Sequence, residues 1–194
     1  MFYGGVDCSS FGNSGVMVGA AAVWNRIENQ LVDYATALTL ADFPYVPGLL
    51  AFRELPAILA AFRGLKTLPD VIICDGQGTA HTRGFGIACH LGLYLELPTI
   101  GCGKSRLVGT YSPPGNDKGA QSTLSYKSLE IGRVVRTRSG VAPVFVSPGH
   151  RCGFDRAVEI TLSACTRFRL PEPVRAAHNL SRHALRQLMD REVR

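Results

Sequence analysis

The chain has 194 residues, of which 46% are hydrophobic and 19% charged, the balance of a soluble globular protein long enough to bury a core. No apolar run reaches the roughly 18 residues of a membrane span, so neither a spanning helix nor a membrane partner is expected. A formal net charge of +6 and a pI near 9.2 point instead to an anionic partner.

The charge is uneven, because residues 167–194 carry seven Arg against Glu172, Asp190 and Glu192. Such a tail suits a solvated helix face or a phosphate backbone. The cysteines (Cys8, Cys74, Cys89, Cys102, Cys152 and Cys165) show no zinc-type spacing, and several sit in apolar runs. Free thiols in a reducing cytoplasm are expected. No signal peptide and no internal repeat is evident, so residues 1–194 are read as one domain and a monomer.

In chain order, Phe2 to Asp7 reads as a strand ending on a carboxylate. Val16 to Trp24 and Gln30 to Leu40 read as two more strands. The turns between the three, Phe11–Ser14 and Asn25–Asn29, are short enough for an antiparallel meander. Pro44-Tyr45-Val46-Pro47-Gly48 breaks any regular element, since two prolines fix φ and remove two donors. Leu50, Phe52, Leu55, Ile58, Leu59 and Phe62 are spaced for a helix over 49–65, kinked or restarted at Pro56. Pro69-Asp70 opens the apolar run 71–74, a buried strand that delivers Asp75 at its C-terminal end. Gly76 and Gly78 then turn the chain sharply there. A helix over 84–95 and a short strand over 98–103 complete a βαβ unit, which implies parallel pairing. Residues 109–126 show no periodicity and read as a long loop. Leu129 to Thr137 and Pro143 to Ser147 form a hairpin around Arg138-Ser139-Gly140. Asp155 to Phe168 reads as an amphipathic helix and Glu172 to Glu192 as a final basic one. The expected fold class is α/β, a mixed sheet of three antiparallel strands followed by parallel strands, flanked by helices.

This topology would gather three acids. Asp7 ends the first strand, Asp75 ends the fourth, and Glu54 lies on the helix between. If the first and fourth strands pair in parallel, both aspartates project from one end, where an oxygen-ligated Mg²⁺ would sit. Lys104, at the end of the next strand, could neutralise charge developing on a phosphodiester. The same spacing also fits three unrelated surface acids. His90, on an apolar helix, reads as structural. His150 and His178 could likewise be structural, and Arg53 could be a helix-surface partner of Glu54.

Six strings in register carry a resemblance. They are Pro44-Tyr45-Val46-Pro47-Gly48, Phe52-Arg53-Glu54, Asp75-Gly76-Gln77-Gly78 with His81, Pro98-Thr99-Ile100-Gly101 leading to Lys104, Gly149-His150-Arg151, and Arg169-Leu170-Pro171-Glu172-Pro173. Together, from about Gly5 to His178, the chain resembles the endonuclease V family.

The resemblance implies a ribonuclease H-like fold and Mg²⁺-dependent cleavage of inosine-containing DNA at the second phosphodiester bond 3′ to the lesion. Mn²⁺ would be a substitute ion, and RNA a possible alternative substrate. It matches Asp7 and Asp75 to metal-binding aspartates, Glu54 to the third active-site acid and Lys104 to the active-site lysine. Tyr45, framed by Pro44, Val46 and Pro47, matches a strand-separating wedge. Residues 78–84 and 104–107 would line the lesion pocket. Gly78, His81, Arg53, His150 and His178 fall among the nucleic-acid-binding positions. Thr82 stands where the family usually has proline, and Cys152-Gly153-Phe154 replaces its usual Val-Ser and aliphatic residue. The helical segment that generally precedes the first strand in the family has no counterpart here.

Overall fold

The computed structural model describes residues 1–11, 15–44, 46 and 48–192. Their elements run β1 (Phe2–Ser10), β2 (Val16–Asn25), β3 (Gln30–Leu40), α1 (Leu50–Arg63), β4 (Val71–Cys74), α2 (Ile87–Leu95), β5 (Thr99–Gly103), β6 (Gln121–Tyr126), β7 (Leu129–Val135), β8 (Val144–Pro148), α3 (Phe154–Ala164) and α4 (Glu172–Glu192). All eight strands join one sheet in the order β3-β2-β1-β4-β5-β8-β7-β6. The meander β1-β2-β3 is antiparallel, β4 and β5 are parallel to β1, and β8, β7 and β6 continue the sheet antiparallel. The expected mixed sheet is present.

Alternation along β1 divides the core. Tyr3 faces the cluster built with Val158, Ile160 and Val174 of α3 and α4. Val6 faces the opposite cluster, with Ile58 and Phe62 of α1 and Leu91 of α2. Helices therefore cover both faces, and fully buried Ile72, Ile73 and Ile100 hold the middle of the sheet. Two helix approaches depend on glycine. A Cβ on Gly5 would lie 2.1 Å from the Pro173 carbonyl oxygen, where α4 begins. One on Gly19 would lie 2.1 Å from the Ala57 carbonyl oxygen of α1.

Three expectations change. α1 does not restart at Pro56 but runs through it as one helix, because Ala51, Ala57, Ile58, Ala61 and Phe62 are buried along one face and outweigh the local cost of proline. The region expected to be a loop holds β6, paired with β7. Of its residues Gln-Ser-Thr-Leu-Ser-Tyr, only Leu124 is buried, so no apolar run marks it. The turn joining the two uses Lys127 and Ser128 at φ 51° and 64°, without the Asn or Gly that usually signals a positive-φ hairpin turn. Finally, α2 begins at Ile87, and α3 ends at Ala164 where Cys165 turns extended.

Candidate metal and nucleic-acid site

The register of two parallel strands builds the site. Val6 pairs with Cys74, so the next residue along each chain is an aspartate. Asp75 stands just past the end of β4, and Asp7 on the same rim, where β1 loses β4 as a neighbour. β1 does not end on the carboxylate as expected but continues beside β2 to Ser10. Asp7 points to the α4 side of the sheet. There His178 Nδ1 lies 2.8 Å from its Oδ2, and the Ser181 hydroxyl donates to the same oxygen at 3.2 Å. Asp75 Oδ2 receives the Lys104 ammonium, carried just past the end of β5. Asp7, Asp75 and His178 each place one potential ligand atom within 4.8 Å of the others. Glu54, on α1, approaches from the other face and is close enough for the charges of Asp7 and Asp75 to act on it.

The electrostatics are those of crowded carboxylates. Burial, and then repulsion from Asp7 and Asp75, push Glu54 up to about 8, with Arg53 opposing. Burial and Asp75 likewise raise Asp7, while the His178 hydrogen bond works against them. An added cation would relieve both. The carboxylate oxygens of Asp7 and Asp75 are the hard donors that Mg²⁺ and Mn²⁺ take, so these residues fit a divalent ion, with His178 beside them hydrogen-bonded to Asp7.

A cavity of about 620 Å³ opens next to Asp75, beginning at Gly76. Its walls include Gln77, His81 and Arg83, the segment 105–107, and residues 48–52, which lead into the first turn of α1. His90 lines it too, with its ring edge-on to Phe85 at 4.6 Å and to Phe52 at 5.4 Å. His81 is 8% exposed, and burial followed by Arg83 and His90 lowers its pKa. Gly78 stands behind this wall, its N–H donating to Ser147 Oγ at 2.9 Å.

Two arginines bind the backbone on either side of residues 44–47: Arg53 donates to the Phe43 carbonyl at 3.0 Å and Arg83 to the Gly48 carbonyl at 2.9 Å. Pro44 is exposed and Val46 half-buried. Tyr45 and Pro47 lie outside the described residues. His150 is not brought to this rim. Its N–H donates to Thr99 Oγ1 where β5 begins, at the opposite end of the sheet. Sequence reasoning grouped His178 with nucleic-acid contacts rather than with the acids, and it overlooked Ser9, Ser181 and the aromatic company of His90. The spacing of His178 and Ser181 on α4 held the only available signal, since i and i+3 share a helix face.

The sequence profile of Endonuclease V matches residues 1–179. The chain belongs to the endonuclease V family. Endonuclease V of Roseiflexus sp. (strain RS-1) is 46% identical over 179 residues, covering 92% of this chain and 80% of that protein. The crystal structure of Endonuclease V from Streptomyces avermitilis superposes with a TM-score of 0.94 at 44% identity, covering 97% of this chain and 83% of that one. That of Ciona intestinalis Endonuclease V, in complex with a 24mer DNA containing an inosine followed by a ribo-adenosine, gives 0.78 at 29% identity over 96% of this chain and 87% of that one. Membership makes the chain a nuclease, and no helix among the described residues is long and apolar enough to cross a membrane.

Proposed function

We propose that this protein is a Mg²⁺-dependent DNA-repair endonuclease. It recognises inosine in DNA and hydrolyses the second phosphodiester bond on the 3′ side, leaving a 5′-phosphate and a 3′-hydroxyl. The observation that carries the proposal is the meeting of Asp7, Asp75 and His178 at one rim, beside a cavity able to take an extruded base. When bound, the ion supplies Lewis-acid charge to the phosphodiester and acidifies the attacking water. Asp7 and Asp75 would hold it, with Glu54 orienting that water or holding a second ion. Lys104, already against Asp75, would set its charge beside the phosphoryl oxygens as they gain negative charge.

Recognition falls to the other side of the rim. Tyr45 is assigned the wedge between strands, with Pro44, Val46 and Pro47 shaping its loop and the Arg53 and Arg83 bonds anchoring the ends. Unstacking costs a few kcal/mol, least at a mispaired base, which favours a deaminated site. The base then enters the cavity between the Phe52 and Phe85 side chains, with Gln77 and His81 as polar wall.

The test is a nicking assay on an inosine-containing duplex with Mg²⁺ or EDTA, with the cut position mapped. Mg²⁺-dependent nicking at the second 3′ bond, abolished in Asp75→Ala, is expected. Normal nicking by Asp75→Ala overturns the proposal, and binding without nicking makes the protein a lesion binder. The ribo-adenosine after inosine in the Ciona complex is the reason to run a matched RNA, because contact with a 2′-hydroxyl near the scissile bond would shift preference to RNA.

A further inference from the structure

Asp7 is held in an asymmetric way. Both hydrogen bonds to its carboxylate, from His178 Nδ1 at 2.8 Å and from Ser181 Oγ at 3.2 Å, fall on Oδ2. Among the described residues Oδ1 receives none. Ser181 is wholly buried, 0% exposed. Its Oγ also lies 2.8 Å from Ser9 Oγ and 3.0 Å from the His178 carbonyl oxygen one turn back.

Proton accounting makes the arrangement directional. Ser181 has one hydroxyl proton and three acceptors within reach of it, Ser9 Oγ, the His178 carbonyl and the Asp7 carboxylate. A hydrogen bond to an ionised oxygen is the stronger. If Ser9 donates to Ser181, both lone-pair and proton demands of the buried hydroxyl are met while its proton stays on Asp7. Ser9 and Asp7 lie two apart on β1 and so share a face, which α4 covers with Ser181. Pro173, packed on Gly5, sets the height of the helix over that face.

We infer that Ser181, backed by Ser9, is a positioning residue that fixes the Asp7 carboxylate by Oδ2 and reserves Oδ1 for the divalent ion. Asp75 is arranged in parallel, with Lys104 on its Oδ2. Among the described residues, the two aspartates thus each keep one oxygen engaged with protein and one without a protein donor. Residues that orient metal ligands in this way are worth roughly 10–100-fold in metal affinity when removed. The inference rests on the metal site of the proposed function, and its test separates the two.

The test measures Mn²⁺ binding to the nucleic-acid-free protein by electron paramagnetic resonance, for wild type, Ser181→Ala, Ser9→Ala, the double variant and Asp7→Asn. Thermal unfolding in EDTA serves as a folding control, and the Mg²⁺ midpoint of nicking as a second readout. Ser181→Ala should bind Mn²⁺ about tenfold more weakly, and Ser9→Ala should lose less. The double variant should be no weaker than Ser181→Ala, because Ser9 acts through Ser181. The Mg²⁺ midpoint should rise in step. Unchanged Mn²⁺ affinity in a folded Ser181→Ala, or additive losses in the double variant, overturns the inference. If Ser181→Ala does not fold, Ser9→Ala decides: a weaker Mn²⁺ affinity supports the inference and an unchanged one overturns it. Asp7→Asn that binds Mn²⁺ normally would instead defeat the metal site itself.

Discussion

Replacing Glu54 with glutamine should stabilise the metal-free protein while it disables the site. Glu54 titrates at about 8, against 4.5 for the unperturbed side chain, because burial and two neighbouring aspartates oppose its charge. Between those values the folded chain keeps a proton that the unfolded chain has released, so stability falls as pH rises across the window. Each pKa unit is worth about 1.4 kcal/mol, which makes the carboxyl cost the fold about 4 kcal/mol near pH 8 but under about 1 kcal/mol near pH 5. Glutamine keeps the shape and removes the charge. At 194 residues each kcal/mol moves Tm by about 2–4 °C. In EDTA near pH 8, Glu54→Gln should therefore melt on the order of 10 °C above wild type, with the gap nearly closed near pH 5. Saturating Mg²⁺ should erase the advantage, since the wild-type carboxylate then gains a counter-charge. Calorimetry across this pH range is the measurement. Equal melting temperatures near pH 8, or a variant less stable than wild type, would show that the acids do not crowd one another as described.

Two further outcomes test the site and the packing that carries it. Lys104→Met should slow single-turnover nicking at saturating Mg²⁺ by about 100-fold, the scale for losing one electrostatic contact to a developing oxyanion, while the protein still binds Mn²⁺; an undiminished rate would remove Lys104 from the mechanism. Gly19→Ala should destabilise the fold by about 1–3 kcal/mol in chemical denaturation, because the new methyl meets the Ala57 backbone and neither side can yield cheaply. A neutral result there would mean that α1 is not seated on β2 as tightly as the structure has it.

The part of the fold legible in the sequence is the part where pattern and packing agree. β1 to β5 and their helices announce themselves through apolar runs and turn residues, and the one-residue step from the Val6–Cys74 pair places Asp7 beside Asp75 without further information. β6 is illegible for a physical reason. It is an edge strand with one buried side chain, so its stability comes from pairing with β7 rather than from its own composition. α1 teaches the converse, since a local rule about Pro56 yields to five buried side chains on one face. In the site, residue type pointed to the acids and to Lys104, because carboxylates at strand ends stand out. Ser181 could not be found that way. A serine on a long basic helix is chemically ordinary, and only the tertiary contact with Asp7 gives it meaning. His150 shows the limit of motif proximity: an otherwise informative string places it on the far rim.

The bond between His178 and Asp7 spans 171 positions of the chain. Asp7 is therefore made 171 residues before its imidazole partner and well before the helix that seats it. Until then the rim carries clustered negative charge with no histidine and no Ser181 hydroxyl to steady it. The cutting centre is therefore a long-range product of folding, complete only when α4 lies over β1 and brings His178 and Ser181 to Asp7.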